Sequence, residues 1–147
     1  MTFEPDIRTF RPDRPGIQKV LGDLEAEIME AVWARPSDQG TQVRDIFEVL
    51  YTRRRIAYTT VMSTMTRLAK KKLLRVEREK QHYLYYPTCT RQEFISRFVS
   101  RILENLFVSF SGETLESFQA LQDTEATAQA YRLFDDITHQ RKYEEGE

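Results

Sequence analysis

Apolar residues recur at helical spacing in three successive segments of the first half of the chain. The first segment, LGDLEAEIMEAVW (residues 21–33), turns its glutamates away from the apolar stripe, and two shorter segments follow it. Thr41 is the predicted N-cap of the second helix, and the third helix is predicted to begin near Tyr58. The three apolar faces consist of Leu21, Leu24, Ile28 and Val32; of Val43, Ile46, Phe47 and Leu50; and of Val61, Met65 and Leu68.

The period of the pattern changes from helical to alternating after the third helix. The segment LLRVEREKQHYLYYP (residues 73–87) alternates on both sides of Glu79, Lys80 and Gln81, which predicts a β-hairpin with a charged tip. Three short helices followed by a two-stranded hairpin form the winged helix-turn-helix arrangement. We therefore expect a mainly α fold class with a small β-wing.

Residues 90–147 have a helical pattern with more apolar surface than a small appendage can bury alone. Thr90 and Glu93 form a capping box before a long helix, Ser111 and Gly112 are predicted to end that helix, and two further helices follow. Self-association as a two-fold homodimer would cover the surplus. The predicted dimerisation residues are Phe94, Phe98, Ile102, Leu106, Phe110, Leu115, Phe118 and Phe134.

Charge is distributed unevenly along the chain, although the formal net charge is only −1. Residues 52–91 carry 11 basic and 2 acidic side chains, whereas residues 1–51 carry 6 and 10 and residues 112–147 carry 3 and 9. The middle block therefore produces a field that attracts a polyanion. A solvated charged helix is the alternative interpretation, but the length of the basic block favours nucleic acid.

The third predicted helix carries short hydroxyl side chains and no acidic residue on its exposed face, which consists of Thr59, Met62, Ser63, Thr66, Arg67 and Lys70. Threonine and serine are poorer helix formers than the Glu and Lys usual at such positions. The face thus gives up helix propensity for close approach to a partner. The major groove of DNA is such a partner, because short side chains let the backbone approach the base edges. Helix capping is the alternative role for Thr59.

Three arginines, Arg53, Arg54 and Arg55, directly precede this helix. We expect them to reach phosphates, with an ordinary solvated loop as the alternative. The chain is thus predicted to contain an extended, proline-containing N-terminal arm (residues 1–16), a winged-helix DNA-binding domain (residues 17–89) and a helical dimerisation domain with an acidic tail (residues 90–147).

The composition argues against several other classes of function. The single cysteine, Cys89, excludes an internal disulfide and a metal site of several thiolates; it is most simply a small buried residue, with a redox-sensing thiol as the alternative. Two distant histidines and the lack of a Gly-rich phosphate loop leave no catalytic constellation, so we expect neither an enzyme nor a cofactor. Without an apolar run of roughly 20 residues or a signal-peptide core, a cytoplasmic location is expected.

Three segments taken together, LGDLEAEIMEAVW, AYTTVMSTMTRLAKKKLL and HYLYYP, resemble the penicillinase-repressor family of bacterial transcription regulators (BlaI, MecI and CopY). The resemblance covers residues 20–90 well and the helical tail loosely. It implies a homodimeric winged-helix repressor on a palindromic operator of double-stranded DNA, relieved when a membrane metalloprotease antirepressor triggers cleavage in the dimerisation region. By position, the resemblance assigns to the recognition helix Tyr58, Thr59, Thr60, Ser63 and Arg67, and to the wing Arg78 and Lys80.

The sequence departs from the family pattern at three places. Lys72 stands where the family usually ends the third helix with a glycine, so a different shape is expected for that helix end. The Asn-Phe pair at which the best-known members are cleaved is absent, and Ser109-Phe110 and Ser117-Phe118 are the nearest substitutes. The Cys-x-Cys tail of the copper-responsive members is also missing, so copper sensing through paired thiolates is not expected.

Two functions from different classes remain open on the sequence. The first is a sequence-specific DNA-binding repressor, and the second is a winged-helix protein-interaction module whose basic face binds an acidic protein. Affinity for duplex DNA that depends on both salt and base sequence separates them. Under the first function, Tyr83 and Tyr85 are expected to pack within the wing rather than to contact DNA.

Overall fold

A computed structural model describes the backbone of residue 5 and of residues 7–121 and 124–145, while the side chains of residues 134 and 137–145 lie outside the description. The chain divides into two compact units, Met1–Val99 and Ser100–Glu147. The first unit holds a short 3-10 helix (Gly16–Lys19), helices α1 (Asp23–Trp33), α2 (Val43–Tyr51) and α3 (Tyr58–Lys70), and strands β1 (Leu74–Glu79) and β2 (His82–Pro87). Helix α4 (Arg91–Ser109) contains the boundary, and helices α5 (Ser111–Leu121) and α6 (Glu125–Glu145) belong to the second unit.

The core of the first unit lies between α1, α2 and α3, as the apolar stripes predict. Ile28, Ile46 and Met65, one from each helix, have no exposed surface, and burying a side chain of this size contributes about 1.5–3 kcal/mol. Three helices packed in this way and followed by a two-stranded antiparallel hairpin confirm the predicted winged-helix fold class.

The start of α2 differs from the prediction. Its N-cap is Gln42, whose backbone N–H donates to Oδ2 of Asp45 at 3.0 Å. The N-cap role predicted for Thr41 is therefore wrong. Thr41 instead pairs with Tyr85 through two backbone hydrogen bonds of 3.0 and 2.8 Å, and both residues are buried. This bridge attaches the hairpin to the helical core.

The hairpin has the predicted position and tip. Strand pairing runs from Leu74 opposite Pro87 to Glu79 opposite His82, which leaves Lys80 and Gln81 as the turn. Lys80 has a φ of 54°, a left-handed conformation that tight hairpin turns require and that glycine or asparagine adopts more readily. The predicted wing is therefore confirmed.

Helix α3 ends in a Schellman motif centred on Lys72. The N–H of Leu73 donates to the carbonyl of Leu68 and the N–H of Lys72 donates to that of Ala69, each at 3.0 Å. Lys72 has a φ of 65°, in the region that favours glycine. The lysine therefore does not give the helix end a different shape; it adopts the left-handed conformation of a glycine-type helix end.

The first turns of α4 belong to the core of the first unit. The predicted capping box is confirmed, because the N–H of Glu93 donates to Oγ1 of Thr90 at 3.1 Å and the N–H of Thr90 donates back to Oε1 of Glu93 at 3.4 Å. Phe94 is fully buried, with its ring centroid 5.5 Å from those of Trp33 and Phe98. Phe98 is buried as well, so the dimerisation role predicted for Phe94 and Phe98 is wrong: both side chains are already covered within the chain.

A single residue, Phe110, separates α4 from α5. Ser111 and Gly112, which the sequence pattern predicts to end the long helix, are instead the first two residues of α5, and α4 ends at Ser109. The N–H of Phe110 donates to the carbonyl of Leu106 at 2.7 Å, and Oγ1 of Thr114 donates to the same carbonyl at 3.1 Å. Phe110 itself is not helical, but these hydrogen bonds connect the end of α4 to the start of α5. The two helices predicted after it, α5 and α6, are confirmed.

Candidate nucleic-acid interface

Helix α3 is fixed to the first unit by one face and exposes the other. Its N-cap is Ala57, whose carbonyl accepts the N–H of Thr60 at 3.1 Å and that of Val61 at 3.3 Å, so the alternative capping role of Thr59 is wrong. The predicted apolar face is fully buried. The exposed face contains no acidic residue and consists of Thr59, Met62, Ser63, Thr66, Arg67 and Lys70.

The exposed hydroxyl groups on α3 differ in their hydrogen bonding: two donate to backbone carbonyls, and two have no partner among the described residues. Oγ of Ser63 donates to the carbonyl of Thr60 at 3.1 Å, and Oγ1 of Thr66 donates to that of Met62 at 2.9 Å. The lone pairs of these two oxygens therefore remain available to accept hydrogen bonds, as from the amino groups of adenine or cytosine in the major groove. Among the described residues, the hydroxyls of Thr59 and Thr60 have no partner, so they can both donate and accept.

Six cationic side chains surround this face without a carboxylate partner among the described residues. They belong to the loop before α3, to α3 itself and to the hairpin, and all six are exposed. Unpaired guanidinium and ammonium groups are the groups that neutralise phosphates. The six are Arg53, Arg55, Arg67, Lys70, Arg78 and Lys80.

Four other cations of the basic block, Arg54, Lys71, Arg75 and Arg91, are paired within the protein. Nη2 of Arg54 lies 2.6 Å from Oε2 of Glu27, which holds the middle arginine of the predicted phosphate-binding loop against α1. Arg75 pairs with Glu77 and lies over the ring of Tyr86, 4.6 Å from its centroid. Because an exposed ion pair contributes at most about 1 kcal/mol, Arg54 can be released, and its phosphate contact stays a prediction.

The hairpin presents one tyrosine and buries the other. Tyr85 is 6% exposed and packs as expected, whereas Tyr83 is 56% exposed, so the expectation that Tyr83 packs within the wing is wrong. Arg78 pairs directly opposite Tyr83, because the register matches these two positions. The predicted wing cation and the exposed ring therefore lie on the same face of the hairpin.

An apolar groove between α3 and the hairpin is a feature that the sequence reasoning missed. Its volume is about 460 Å³, and its lining includes Tyr58, Met62, Val76 and Tyr83, all of which are exposed. Two signals were available in the sequence: the spacing of Tyr58 and Met62 at i and i+4, and the alternation that puts Val76 opposite Tyr85. An exposed apolar side chain beside hydroxyl groups can contact the 5-methyl group of thymine.

Cys89 is buried in the first unit, where its carbonyl accepts the indole N–H of Trp33 at 3.0 Å. Burial raises the pKa of the Cys89 thiol above its ordinary value of 9.0. The thiolate is the reactive form, so this environment favours the structural role of Cys89 over redox sensing. Within the described part of the chain, no group of three or more His, Cys, Asp or Glu side chains could hold a metal ion.

The remaining predicted dimerisation and cleavage residues lie in the second unit. Ile102 is half-buried, while Leu106, Phe110, Leu115 and Phe118 are exposed; the Phe134 side chain lies outside the described residues. Phe118 stacks on Phe107 with ring centroids 5.9 Å apart. The candidate cleavage residues Ser109, Phe110, Ser117 and Phe118 have exposed side chains, although all of them except Phe110 are helical. Among the described helices, none combines the length and apolar content that a bilayer span requires.

The fold and the exposed face of α3 define a winged helix-turn-helix protein. A sequence model described as the penicillinase repressor family matches residues 21–133, so this chain belongs to that family. The chain is also 42% identical over 76 residues to a transcriptional regulator, BlaI, of Mycobacterium tuberculosis in strains CDC 1551 / Oshkosh and ATCC 25618 / H37Rv. These 76 residues are 52% of this chain and 54% of each relative, so the match spans about half the length of the curated relatives.

Proposed function

We propose that this chain is a sequence-specific, DNA-binding transcriptional repressor. The observation that carries the proposal is the set of six exposed cations that have no carboxylate partner among the described residues and that surround an acid-free helix face. Membership of the penicillinase repressor family supports the same function. So does the similarity to mycobacterial proteins named as transcriptional regulators.

In the proposed complex, α3 enters the major groove. The cations of the preceding loop and of the hairpin contact phosphates and fix the register of α3 on the duplex. Thr59, Thr60 and Ser63 then read base edges by hydrogen bonds, while Met62 and Tyr58 contact thymine methyl groups. Affinity and sequence preference therefore come from different residues, which makes them separable by mutation.

Two copies of the chain associate through the second unit in this proposal and bind a palindromic operator. Val108, Phe110 and Leu133 are 80%, 58% and 64% exposed. Several large apolar side chains exposed on one unit favour an interaction surface, and a second copy is the occupant that the family resemblance supports. Joining two half-site modules increases operator affinity by about 10²–10⁴ through effective concentration.

Proteolysis linked to a membrane metalloprotease antirepressor would relieve repression. The exposed side chains at 109, 110, 117 and 118 are the candidate targets. Because α5 is helical from Ser111, and a peptide bond has to leave the helix before a protease can bind it extended, local opening of α5 would precede the cut. Cleavage there would remove part of the dimer surface and the avidity that depends on it.

Fluorescence anisotropy with two duplexes tests the proposed function. One duplex is selected from a random pool by the protein itself, and the other contains the same bases in scrambled order. We expect tighter binding to the selected duplex, and affinities for both that fall as salt rises, because each phosphate contact contributes about 0.9 to the slope of log K against log salt. Equal affinity for the two duplexes would instead favour the interaction module with an acidic protein partner.

Arginine variants test whether the loop before α3 is the surface that contacts DNA phosphates. Replacing both Arg53 and Arg55 by Gln should reduce the salt slope on both duplexes equally. Arg91→Gln is the control for loss of a positive charge elsewhere in the basic block: it removes one charge, where the double variant removes two, from a side chain already paired with Glu30 at 3.0 Å. If the Arg53 and Arg55 variant kept the wild-type slope, the loop would not be part of the interface.

A further inference from the structure

A pocket of about 450 Å³ lies in the first unit, where the end of α1, the end of β2 and the start of α4 meet. Volumes of about 300–1,000 Å³ are usual for sites that bind small molecules. None of the lining residues belongs to α3, to the loop before α3 or to the turn of the hairpin. The pocket is therefore separate from the proposed DNA surface.

The apolar part of the lining comes from Trp33, Ala34, Pro87 and Cys89. The indole ring of Trp33 is half-buried, and its polar group is already used, because its N–H donates to the carbonyl of Cys89 at 3.0 Å. Trp33 therefore offers the pocket only the hydrocarbon surface of its ring. Aromatic rings pack against one another in offset-stacked or edge-to-face geometry, so a flat ring suits this wall.

Both carboxylates in the lining are already bound by donors of the protein. Each oxygen of Glu30 accepts the Nε hydrogen of Arg91, at 3.0 and 3.1 Å. Oε1 of Glu93 accepts the N–H of Thr90 at 3.4 Å, and Oε2 lies 3.8 Å from Nη2 of Arg97. The lining therefore offers no carboxylate without a partner, which is what a cationic ligand would need.

The guanidinium group of Arg35, which also lines the pocket, makes no hydrogen bond to the described residues. Its Nε is buried and has no partner there. Its Nη2 lies 3.6 Å from Oδ2 of Asp45, too far for a hydrogen bond, and that oxygen already accepts the N–H of Gln42 at 3.0 Å. A buried donor without an acceptor is unfavourable. Because the side chain of Arg35 is 33% exposed, an acceptor in the pocket can reach it.

We propose that this pocket binds a small aromatic carboxylate. The ring lies against Trp33, and the carboxylate accepts the hydrogen bonds that Arg35 lacks. Guanidinium and carboxylate groups match in shape and form paired, charge-assisted hydrogen bonds. Such a ligand would contact α1, β2 and α4 together and so stabilise the folded first unit. The site goes beyond the proposed function and does not depend on DNA binding.

Benzoate is the probe for this site, and Trp33 is the reporter, because it is the single tryptophan of the chain. Benzoate is titrated into the full-length protein without DNA while the tryptophan fluorescence is followed. Benzamide has the same ring and nearly the same size but no charge, so it is the matched control ligand. We expect a saturable change with benzoate and binding of benzamide that is weaker by about tenfold or more, because hydrogen bonds between charged groups are the stronger ones.

Arg35→Gln tests the role of the guanidinium group, with Arg44→Gln as the matched control. Each change removes one positive charge that is paired with a carboxylate of α2, since Arg44 pairs with Glu48, but Arg44 does not line the pocket. Arg35→Gln should weaken benzoate binding by about tenfold or more and leave benzamide binding unchanged. Arg44→Gln should change neither. Urea unfolding of both variants verifies that the fold is retained.

Three results would overturn the site: no saturable fluorescence change in the wild-type protein, equal affinities for benzoate and benzamide, or equal benzoate affinities in the two variants. The comparison of the two ligands uses the wild-type protein, so it decides the question even if Arg35→Gln does not fold. A rise in the urea midpoint of the wild-type protein with benzoate, and a smaller one with benzamide at the same concentration, would support the site independently of fluorescence.

Discussion

The ammonium group of Lys71 donates a 2.7 Å hydrogen bond to Oε2 of Glu25, which is buried at the start of α1. Lys71 is the C-cap of α3, so the pair ties the end of α3 to the first turn of α1. One lysine of the cluster Lys70-Lys71-Lys72 thus serves the fold, whereas Lys70 is exposed and has no carboxylate partner among the described residues.

The same substitution should therefore affect protein stability at Lys71 and DNA binding at the neighbouring Lys70. Lys71→Met is expected to lower the free energy of unfolding by about 1.5–3 kcal/mol, because a buried carboxylate loses a charged donor. Lys70→Met should change stability by no more than about 0.5 kcal/mol but reduce the salt slope of DNA binding. Urea unfolding and anisotropy on the same two variants measure both quantities. Identical stability for the two proteins would contradict the structural role of Lys71.

Lys72→Gly is expected to stabilise the protein. The left-handed conformation at φ 65° costs a residue with a Cβ about 1–2 kcal/mol, which glycine avoids, although glycine also loses more backbone entropy on folding. The expected net gain is about 1 kcal/mol in the free energy of unfolding. Lys72→Ala removes the same charge but keeps the Cβ, so it should show no such gain. Equal stability of the Gly and Ala variants would argue against strain at this helix end.

Phe94 and Leu115 were predicted for the same dimer surface, but substituting Phe94 should change stability and substituting Leu115 should change association. Phe94→Ala is expected to lower the free energy of unfolding by about 3–5 kcal/mol, because Phe94 is fully buried in the first unit. Leu115→Asp should leave the fold intact and convert a dimer to a monomer, because Leu115 is exposed and a carboxylate in an apolar seam is costly. Ser117→Asp adds the same charge to an exposed polar position of α5. Sedimentation velocity measures the association state.

If Leu115→Asp and Ser117→Asp both had the sedimentation coefficient of the wild-type dimer, this part of the second unit would not be the dimer surface. A wild-type protein that is monomeric at micromolar concentration would contradict dimerisation itself.

Cleavage of the second unit should depend on the stability of α5. Gly112 lies in its first turn, and a Cβ added there would meet no atom within 4 Å. Gly112→Ala should therefore stabilise the helix by up to about 1 kcal/mol and slow cleavage between residues 109 and 118 by up to about fivefold. The measurement is the rate of appearance of the fragments by mass spectrometry, with the global unfolding free energy as the control. An unchanged rate in a protein with a stabilised α5 would exclude opening of this helix as the limiting step.

The sequence predicted the first unit well because its elements are amphipathic and pack against neighbours that are close along the chain. The buried faces of α1, α2 and α3 follow the helical period, except that Glu25, which was expected to face outward with the other glutamates of α1, is buried; the change of period locates the hairpin. Thr41 was misassigned because a hydroxyl before a helix is typical of an N-cap, while its backbone pairing with Tyr85 depends on a distant strand. Local pattern does not contain that information.

The second unit was less predictable for a related reason. The helical period marks Phe94, Phe98 and Leu115 as positions that must be covered, but it does not say whether the cover is the same chain or another copy. Trp33 covers Phe94 within the first unit. Similarly, Ser111 and Gly112 are typical of a helix end, yet the same residues begin the next helix, and only the hydrogen bonds around Phe110 distinguish the two outcomes.

In the proposed complex, the hydroxyl face of α3 reads the base sequence. The most direct test of this claim is the ratio of the dissociation constants for scrambled and selected duplexes in the variant Ser63→Ala, compared with the double Arg53→Gln, Arg55→Gln variant. Alanine is the better helix former, so the fold is retained. Ser63→Ala is expected to reduce the ratio by an amount equivalent to about 1–3 kcal/mol, while the arginine variant should weaken binding to both duplexes equally and leave the ratio unchanged. A ratio unaffected by Ser63→Ala and by the corresponding Thr60→Ala change, in a protein that still discriminates between the two duplexes, would contradict it.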